Sequence, residues 1–443
     1  MTGHAHPKSS DPSATDSETS NDAGTTRARA SDWPYRLVAI ALGVRLFVLI
    51  LSFGTNDVFY WSKIATDVTD IGIMETYRTL PELNHPPVAA LVITVLYQAA
   101  VFLDLPFAWF LKAPVIATDF LAALLIWRIV LERSGKEDAR RSIVGFLLCP
   151  AVIVLSAYHG NTDSILATLL LGGAWAAHKG RWGWAGLLLG AAVNVKLLAI
   201  AGVVAVVFSV RGVRDFWRLA LGASVTFVPF LLILIADHEA VIDKVFRYTP
   251  SAEPWGIPWM LTGFNPDYVE GPNALAWWYL DHGTFIVSTA LVVTAIAARI
   301  LRLDAIRAAF AGTATYLVFT PSIGVQHLAI VLPLAFAIPA RNRWRLPTAA
   351  SVFLVTVYAV FLVNLVPLSS NHGRWPLPVI ILGFLVWMAA LAALVSVLLR
   401  RSGDARKGTN GEESEGPEHA SMPAGQDDRP PNRGRHVRGQ AVP

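Results

Sequence analysis

Charged side chains are scarce in this 443-residue chain: Asp, Glu, Lys and Arg make up 15% of it, against about a quarter in a soluble globular protein. Cysteine is almost missing. The single Cys149 sits inside an apolar run, so neither an intrachain disulfide nor a multi-cysteine metal site is available. No P-loop, GxGxxG turn or DxD nucleotide-sugar motif occurs, so nothing reads as a nucleotide-binding fold. No nucleic-acid partner and no cofactor is expected.

What the chain does have is apolar bulk, with 54% hydrophobic residues, 15 Trp and 21 Phe. The apolar runs recur near the ~20 residues that cross a bilayer, which predicts an all-α polytopic membrane protein. Residues 1–31 and 402–443 are polar and poor in bulky apolar side chains, and read as disordered cytoplasmic tails flanking a transmembrane domain at 32–401. No signal-peptide pattern is read ahead of the first span.

About 12 spans are predicted, near 36–53, 110–131, 142–158, 162–178, 183–195, 197–210, 216–236, 284–300, 306–320, 325–340, 347–367 and 377–399. With the amino-terminal tail in the cytoplasm, short cytoplasmic loops collect Arg133, Lys136, Arg140, Arg141, Lys179, Arg181, Arg211, Arg214, Arg299, Arg302 and Arg307. That is the bias of the positive-inside rule. Residues 86–103 are apolar enough to cross, but a crossing there would move every later basic loop outside. The segment therefore reads as a helix on the outer leaflet, opened by Pro86-Pro87.

Polar residues then gather on the outer side, above all between Phe53 and Pro87. Asp57 follows directly on the first span with Trp61 four residues later, which places a carboxylate and an amphipathic ring at the water boundary. Chemistry on a lipid-borne substrate belongs there; equally, Asp57 could cap the helix that follows. Lys196, at the corner between two apolar runs, could hold a phosphate as a point charge or merely snorkel. His159 and Asp163, four apart, could share a helix face, or Asp163 could be a cap. Asp237-His238-Glu239 has donors suited to a divalent ion, but three adjacent residues do not all point one way, and no metal site is assigned. Trp255 and Trp259 fit a sugar platform or an interfacial belt.

Several of these residues together resemble a family. Asp57 with Trp61, His85-Pro86-Pro87, Lys112 ahead of Asp119, Pro150 before Tyr158-His159, Asn194-x-Lys196 and Gly324-Val325-Gln326-His327 are similar, in that order, to the GT-C superfamily of membrane glycosyltransferases. The nearest resemblance is to the polyprenyl-phosphate-sugar-dependent glucosyl- and mannosyltransferases. His85 stands where that family has a tyrosine before the double proline. The resemblance implies an inverting transfer of a hexose or pentose from a polyprenyl-phosphate donor to a glycan, lipid or protein acceptor, on the outer face of a bacterial plasma membrane. It makes Asp57 the general base. Lys196 would bind the donor phosphate, with Lys112, His327 or Arg247 as helpers and with Trp61, His85, His159 and Asp163 around the substrate. Membrane lipids are the surrounding partner. A secondary transporter is the rival reading, but no internal repeat is visible and the charges lie at span ends rather than mid-span.

The topology has a direct check. In a Cys149→Ser background, a cysteine at Ser370 is expected to react with an impermeant thiol reagent on intact cells and one at Gly403 is not; labelling of Gly403 from outside would overturn the map.

Overall fold

In the computed structural model the described residues are 34–246, 255–264, 274–338, 344–364 and 375–399, and all regular structure among them is helical. The tails expected at 1–31 and 402–443, and Arg247, lie outside these residues. The chain runs through α1 (Tyr35–Leu51), α2 (Asn56–Ile71), α3 (Ile73–Thr79), α4 (Pro87–Phe102), α5 (Phe107–Ser134) and α6 (Lys136–Leu147). Next come α7 (Pro150–Ile153), which continues as a π-helical turn Val154–His159, then α8 (Asp163–His178), α9 (Trp182–Val195), α10 (Ile200–Ser209) and α11 (Val213–Ala236). After α12 (His238–Val241), α13 (Ile257–Leu261) and α14 (Ala274–Asp281) follow α15 (Gly283–Ile300), α16 (Ala305–Phe319), α17 (Leu328–Ala337), α18 (Arg345–Asn364) and α19 (Leu377–Leu399).

Four of these helices, α5, α11, α15 and α19, are long and apolar enough to cross a membrane alone, or up to six spans result if two bent helix pairs each count as one. Six further apolar segments have 10–17 residues. At ~1.5 Å per residue such segments fall short of a ~30 Å hydrocarbon core. Most of the predicted spans thus correspond to helices, while the described helices meet the full length criterion for only part of the predicted twelve.

Two apolar clusters hold the bundle. The larger packs α5, α6, α8, α9, α16, α17 and α18 through buried residues such as Ile126, Phe146, Leu170, Leu189, Ile306, Leu332 and Phe353. The smaller joins Val58, Trp61 and Ile64 of α2, Tyr77 of α3, Ile93 of α4, Leu111 of α5 and Phe230 of α11. The helix after Pro86-Pro87 belongs to this second cluster. Trp255 and Trp259 do not form an open platform: both are buried, and Trp255 donates its indole N–H to Ile323 O at 3.0 Å.

Loops that the charge bias assigns to one side do touch one another. Arg133 pairs with Asp304 at 3.0 Å, Lys179 with Glu132 at 2.5 Å, and Arg299 donates to Phe208 O and Val210 O at 3.0 and 2.7 Å. One end of the bundle is thereby stitched by Arg and Lys. Deeper in the bundle, Arg45 of α1 and Asp119 of α5 form a fully buried pair at 2.9 Å, with Arg45 also donating to Leu147 O at 2.8 Å.

Helices α9 and α11 meet backbone to backbone. A Cβ on Gly186 would lie 1.9 Å from Leu219 O, and one on Gly222 would lie 2.1 Å from Gly183 O. Small residues at such crossings are what lets helices pack closely in lipid, where van der Waals contact replaces the hydrophobic drive. Gly186→Ala should therefore destabilise the detergent-solubilised protein by about 1–3 kcal/mol, as overpacking does. Gly183→Ala, whose Cβ would meet only Arg218 O at 3.9 Å, should leave the thermal midpoint nearly unchanged. Equal midpoints for the two variants would contradict this packing.

Candidate active site

The site begins at an elbow. Helices α1 and α2 meet at 66° across Ser52 to Thr55, and α2 starts with Asn56 and Asp57. Thr55, not Asp57, is the N-cap: its side chain accepts from Asp57 N at 3.4 Å and donates to His159 O at 3.0 Å. The Asp57 carboxylate is therefore left for other partners. It keeps 32% of its side-chain surface accessible, although its neighbours Thr55, Val58 and Trp61 are buried.

Those partners come from the turn between α7 and α8. His159 Nε2 lies 3.0 Å from Asp57 Oδ2, and Asn161 Nδ2 donates to the same oxygen at 2.5 Å. A carboxylate only accepts, so His159 Nε2 carries a proton. Its Nδ1 faces the Tyr358 hydroxyl of α18 in a close contact. Asn161 is held in turn, because its Oδ1 accepts from Asp163 N at 3.2 Å. Within the described contacts Asp57 Oδ1 accepts nothing and is the oxygen open to a ligand. Burial pushes the Asp57 pKa up, but the His159 ring, Lys196 and the Asn161 amide outweigh it and hold the carboxyl below the ordinary carboxylate range.

Lys196 stands in extended backbone where α9 breaks before a short 3₁₀ turn, Leu197–Ala199. Its ammonium pairs with the buried Asp163 at 3.1 Å, and its charge is felt at Asp57 and at His85. His85 packs on Trp61, ring centroids 4.6 Å apart, while Tyr77 donates to its carbonyl at 2.5 Å. Both ring nitrogens of His85 are buried and have no partner among the described residues. Burial and the Lys196 charge push its pKa down to about 3, against the pull of Asp57, so the imidazole stays neutral at physiological pH. His327 accepts from Gly324 N at Nδ1, 3.1 Å away. In its neutral form the proton is therefore on Nε2, which makes that nitrogen a donor.

Asp57, Trp61, His85, His159, Asp163, Lys196 and His327 are thus gathered in one region, as the sequence reading expected of them jointly. Some placements differ in detail. His159 and Asp163 do not share a helix face, because Gly160, in the left-handed region at φ +78°, turns the chain between them; one serves Asp57 and the other Lys196. Lys112 is fully buried in α5, and its ammonium is taken by Ser52 O at 2.6 Å, Ser52 Oγ at 3.0 Å and Leu49 O at 3.4 Å. Asp237 caps α12 through Ala240 N and pairs with Arg78 at 2.7 Å. Among the described residues no three His, Cys, Asp or Glu side chains are grouped as a metal site would need. Asn161 and Tyr358 were missed. A tyrosine hydroxyl in the middle of an apolar span was the available signal for Tyr358; nothing in the sequence set Asn161 apart from other turn residues.

The sequence profile of glycosyltransferase family 87 matches residues 84–321, more than half of the chain. The chain belongs to that family. The expected resemblance to GT-C membrane glycosyltransferases is thereby borne out. The chain is also similar to two structures of ArnT from Cupriavidus metallidurans. The apo state is 17% identical with a TM-score of 0.46, covering 84% of this chain and 77% of that one. The form bound to undecaprenyl phosphate is 16% identical with a TM-score of 0.45, covering 83% and 77%. Of the site residues in this family-87 chain, His85, Lys112, His159, Asn161, Asp163 and Lys196 lie inside the matched region, and Asp57, His327 and Tyr358 outside it.

Tyr358 supplies the test of this geometry. Tyr358→Phe leaves one His159 nitrogen unpaired in a buried setting, a loss of about 1–3 kcal/mol if none of it is relieved. Sugar transfer should slow by roughly 5- to 100-fold with little change in donor KM, measured by steady-state kinetics on the purified enzyme. Wild-type kinetics would mean that the hydroxyl does not hold the ring.

Proposed function

We propose that this glycosyltransferase moves a sugar from a polyprenyl-phosphate donor to an acceptor hydroxyl with inversion at the anomeric carbon, and that Asp57 is the proton acceptor. The observation that carries this is the Asp57 carboxylate itself, with Oδ2 fixed by His159 and Asn161, Oδ1 open, and a lysine within electrostatic reach. The motifs of nucleotide-sugar enzymes are missing from the sequence. A donor delivered in the membrane fits an elbow at the end of an apolar helix.

The acceptor oxygen forms a bond to the anomeric carbon while the bond from that carbon to the phosphate oxygen breaks, its electron pair leaving with the polyprenyl phosphate. The hydroxyl proton goes to Asp57 Oδ1, and the phosphate gains one negative charge as it turns from diester to monoester. Lys196 meets that charge, and the Nε2–H of His327 donates to the same group. Preorganised donors aimed at developing charge are usually the largest single catalytic contribution. Neutral His85, packed against Trp61 with the two rings tilted by 56°, has two ring nitrogens without a partner among the described residues, one donor and one acceptor, a pair suited to the hydroxyls of a sugar.

A carboxylate with a lowered pKa is charged but weakly basic, whereas a good general base has a pKa nearer the working pH. The donor corrects this. Its phosphate brings negative charge to the site and engages Lys196, removing part of what holds the Asp57 pKa down. Asp57 becomes the stronger base only when there is something to transfer.

Two measurements test the reading. Asp57→Asn should lower kcat by ~10² to 10⁴ while donor binding survives, the pattern of a lost general base; near-normal turnover would remove Asp57 from the mechanism. In the wild-type enzyme, Asp57 stays ionised at pH values where an ordinary carboxyl would protonate. The acid limb of kcat/KM, which reports the free enzyme, should therefore lie below ~4, and the limb of kcat, which reports the donor complex, should lie higher. Limbs in the reverse order would reject the coupling between donor and base. Movement of an intact donor across proteoliposomes without sugar transfer would favour the transporter instead.

A further inference from the structure

Lys112 is a buried cation whose described contacts include no carboxylate. Its three oxygen contacts all belong to the end of α1, where unpaired carbonyls carry partial negative charge and a lysine is a favourable cap. The stem of the same side chain touches a second segment. A Cβ on Gly160 would lie 3.3 Å from Lys112 Cγ and 3.4 Å from Cδ, so the methylenes run directly beneath the turn that carries His159 and Asn161.

One residue therefore contacts both segments that build the Asp57 site: the Ser52 end that leads into Asp57, and the turn that supplies both donors to its Oδ2. Helix α5 grips α1 again farther into the bundle, where Asp119 holds Arg45 at 2.9 Å. Two grips from one helix set both the height and the rotation of α1.

We propose that Lys112 is a positioning residue for Asp57, fixing the distance between the two turns, and not a ligand of the donor phosphate. This rests on the reading of Asp57 as proton acceptor. A base displaced by about 1 Å can lose on the order of 10² in rate without any loss of binding.

Lys112→Met keeps the stem and removes the ammonium. Sugar transfer by the purified full-length enzyme should fall roughly tenfold or more in kcat, with donor KM within about twofold of wild type. The acid limb of kcat/KM should move up, as the carboxylate loses contact with His159 and Asn161. Lys112→Arg should recover part of kcat and return the limb toward its wild-type position. A raised donor KM with an unmoved limb would make Lys112 a phosphate ligand and overturn the proposal. A lower thermal midpoint with unchanged kcat per folded enzyme and an unmoved limb would reduce it to a stabilising contact, and overturns it too.

Asp57→Asn is measured in parallel. If that variant keeps turnover, the reading of Asp57 fails; if it is inactive while Lys112→Met has wild-type kcat and limb, the positioning role alone fails. Should Lys112→Met not fold, Ser52→Ala removes one of the three Lys112 acceptors, the hydroxyl at 3.0 Å, and leaves both carbonyls. The same variant also removes the bond from the Ser52 hydroxyl to Val48 O at 2.7 Å, a local helix-end contact; it should lower kcat by roughly threefold or more at constant KM and shift the limb in the same direction. Wild-type kinetics for Ser52→Ala would then reject the proposal.

Discussion

The contact between Asp57 Oδ2 and His159 Nε2 is the point on which the rest of the site depends. It joins two parts of the chain that are far apart in sequence, the elbow after α1 and the turn before α8, and it does so with a hydrogen bond between a buried imidazole and a half-buried carboxylate. Such a bond forms only if both turns are held from outside. Thr55 ties the elbow to His159 O, Tyr358 closes on the far side of the imidazole, and the α5 lysine lies under both. Each added contact narrows the positions open to one carboxylate oxygen and leaves the other unengaged.

Burial imposes the same discipline on every charge in the bundle. Arg45 meets Asp119, Lys196 meets Asp163, Lys112 meets the carbonyl end of α1, and Asp57 meets His159. An unpaired charge in such a place would have to be neutralised or hydrated. The pairs differ in how replaceable they are. Arg45 and Asp119 are both fully enclosed, so exchanging that pair for a substrate contact would expose a buried charge. Lys196 keeps 18% of its side-chain surface, so its ammonium can be reached from outside, while its partner Asp163 is as enclosed as Asp119.

Much of the architecture was legible in the sequence. The apolar runs marked most of the helices, because in lipid a run of that length has almost no other way to satisfy its backbone. The loops that the charge bias groups together include Arg133, which pairs with Asp304, and Lys179, which pairs with Glu132. Asp57 stood out as an acid at the end of a span. What could not be read was pairing across sequence. Nothing local says that the acid at 57 is served by a histidine at 159 and an asparagine at 161, or that a tyrosine at 358 closes the relay. Lys112, a candidate phosphate helper by resemblance, has its ammonium on the carbonyl end of α1. Sequence shows that a buried cation needs a partner and does not show that the partner is the carbonyl end of another helix.

The family-87 match covers part of the site and not all of it. Residues 84–321 carry the cation Lys196, its carboxylate Asp163, and His159 and Asn161, which both contact Asp57 Oδ2. Asp57, His327 and Tyr358 approach the same site from outside that segment, on α2, on the loop before α17 and on α18. A site assembled this way has its electrostatic floor in one continuous part of the chain and its closing groups on helices that pack against it. Within 84–321, substitutions at Lys196 or Asp163 should act through charge, whereas those at His159, Asn161 or Lys112 act through the position of the Asp57 carboxylate. Tyr358, from outside the segment, acts through geometry, because the His159 ring it meets is the ring that holds the Asp57 carboxylate in place.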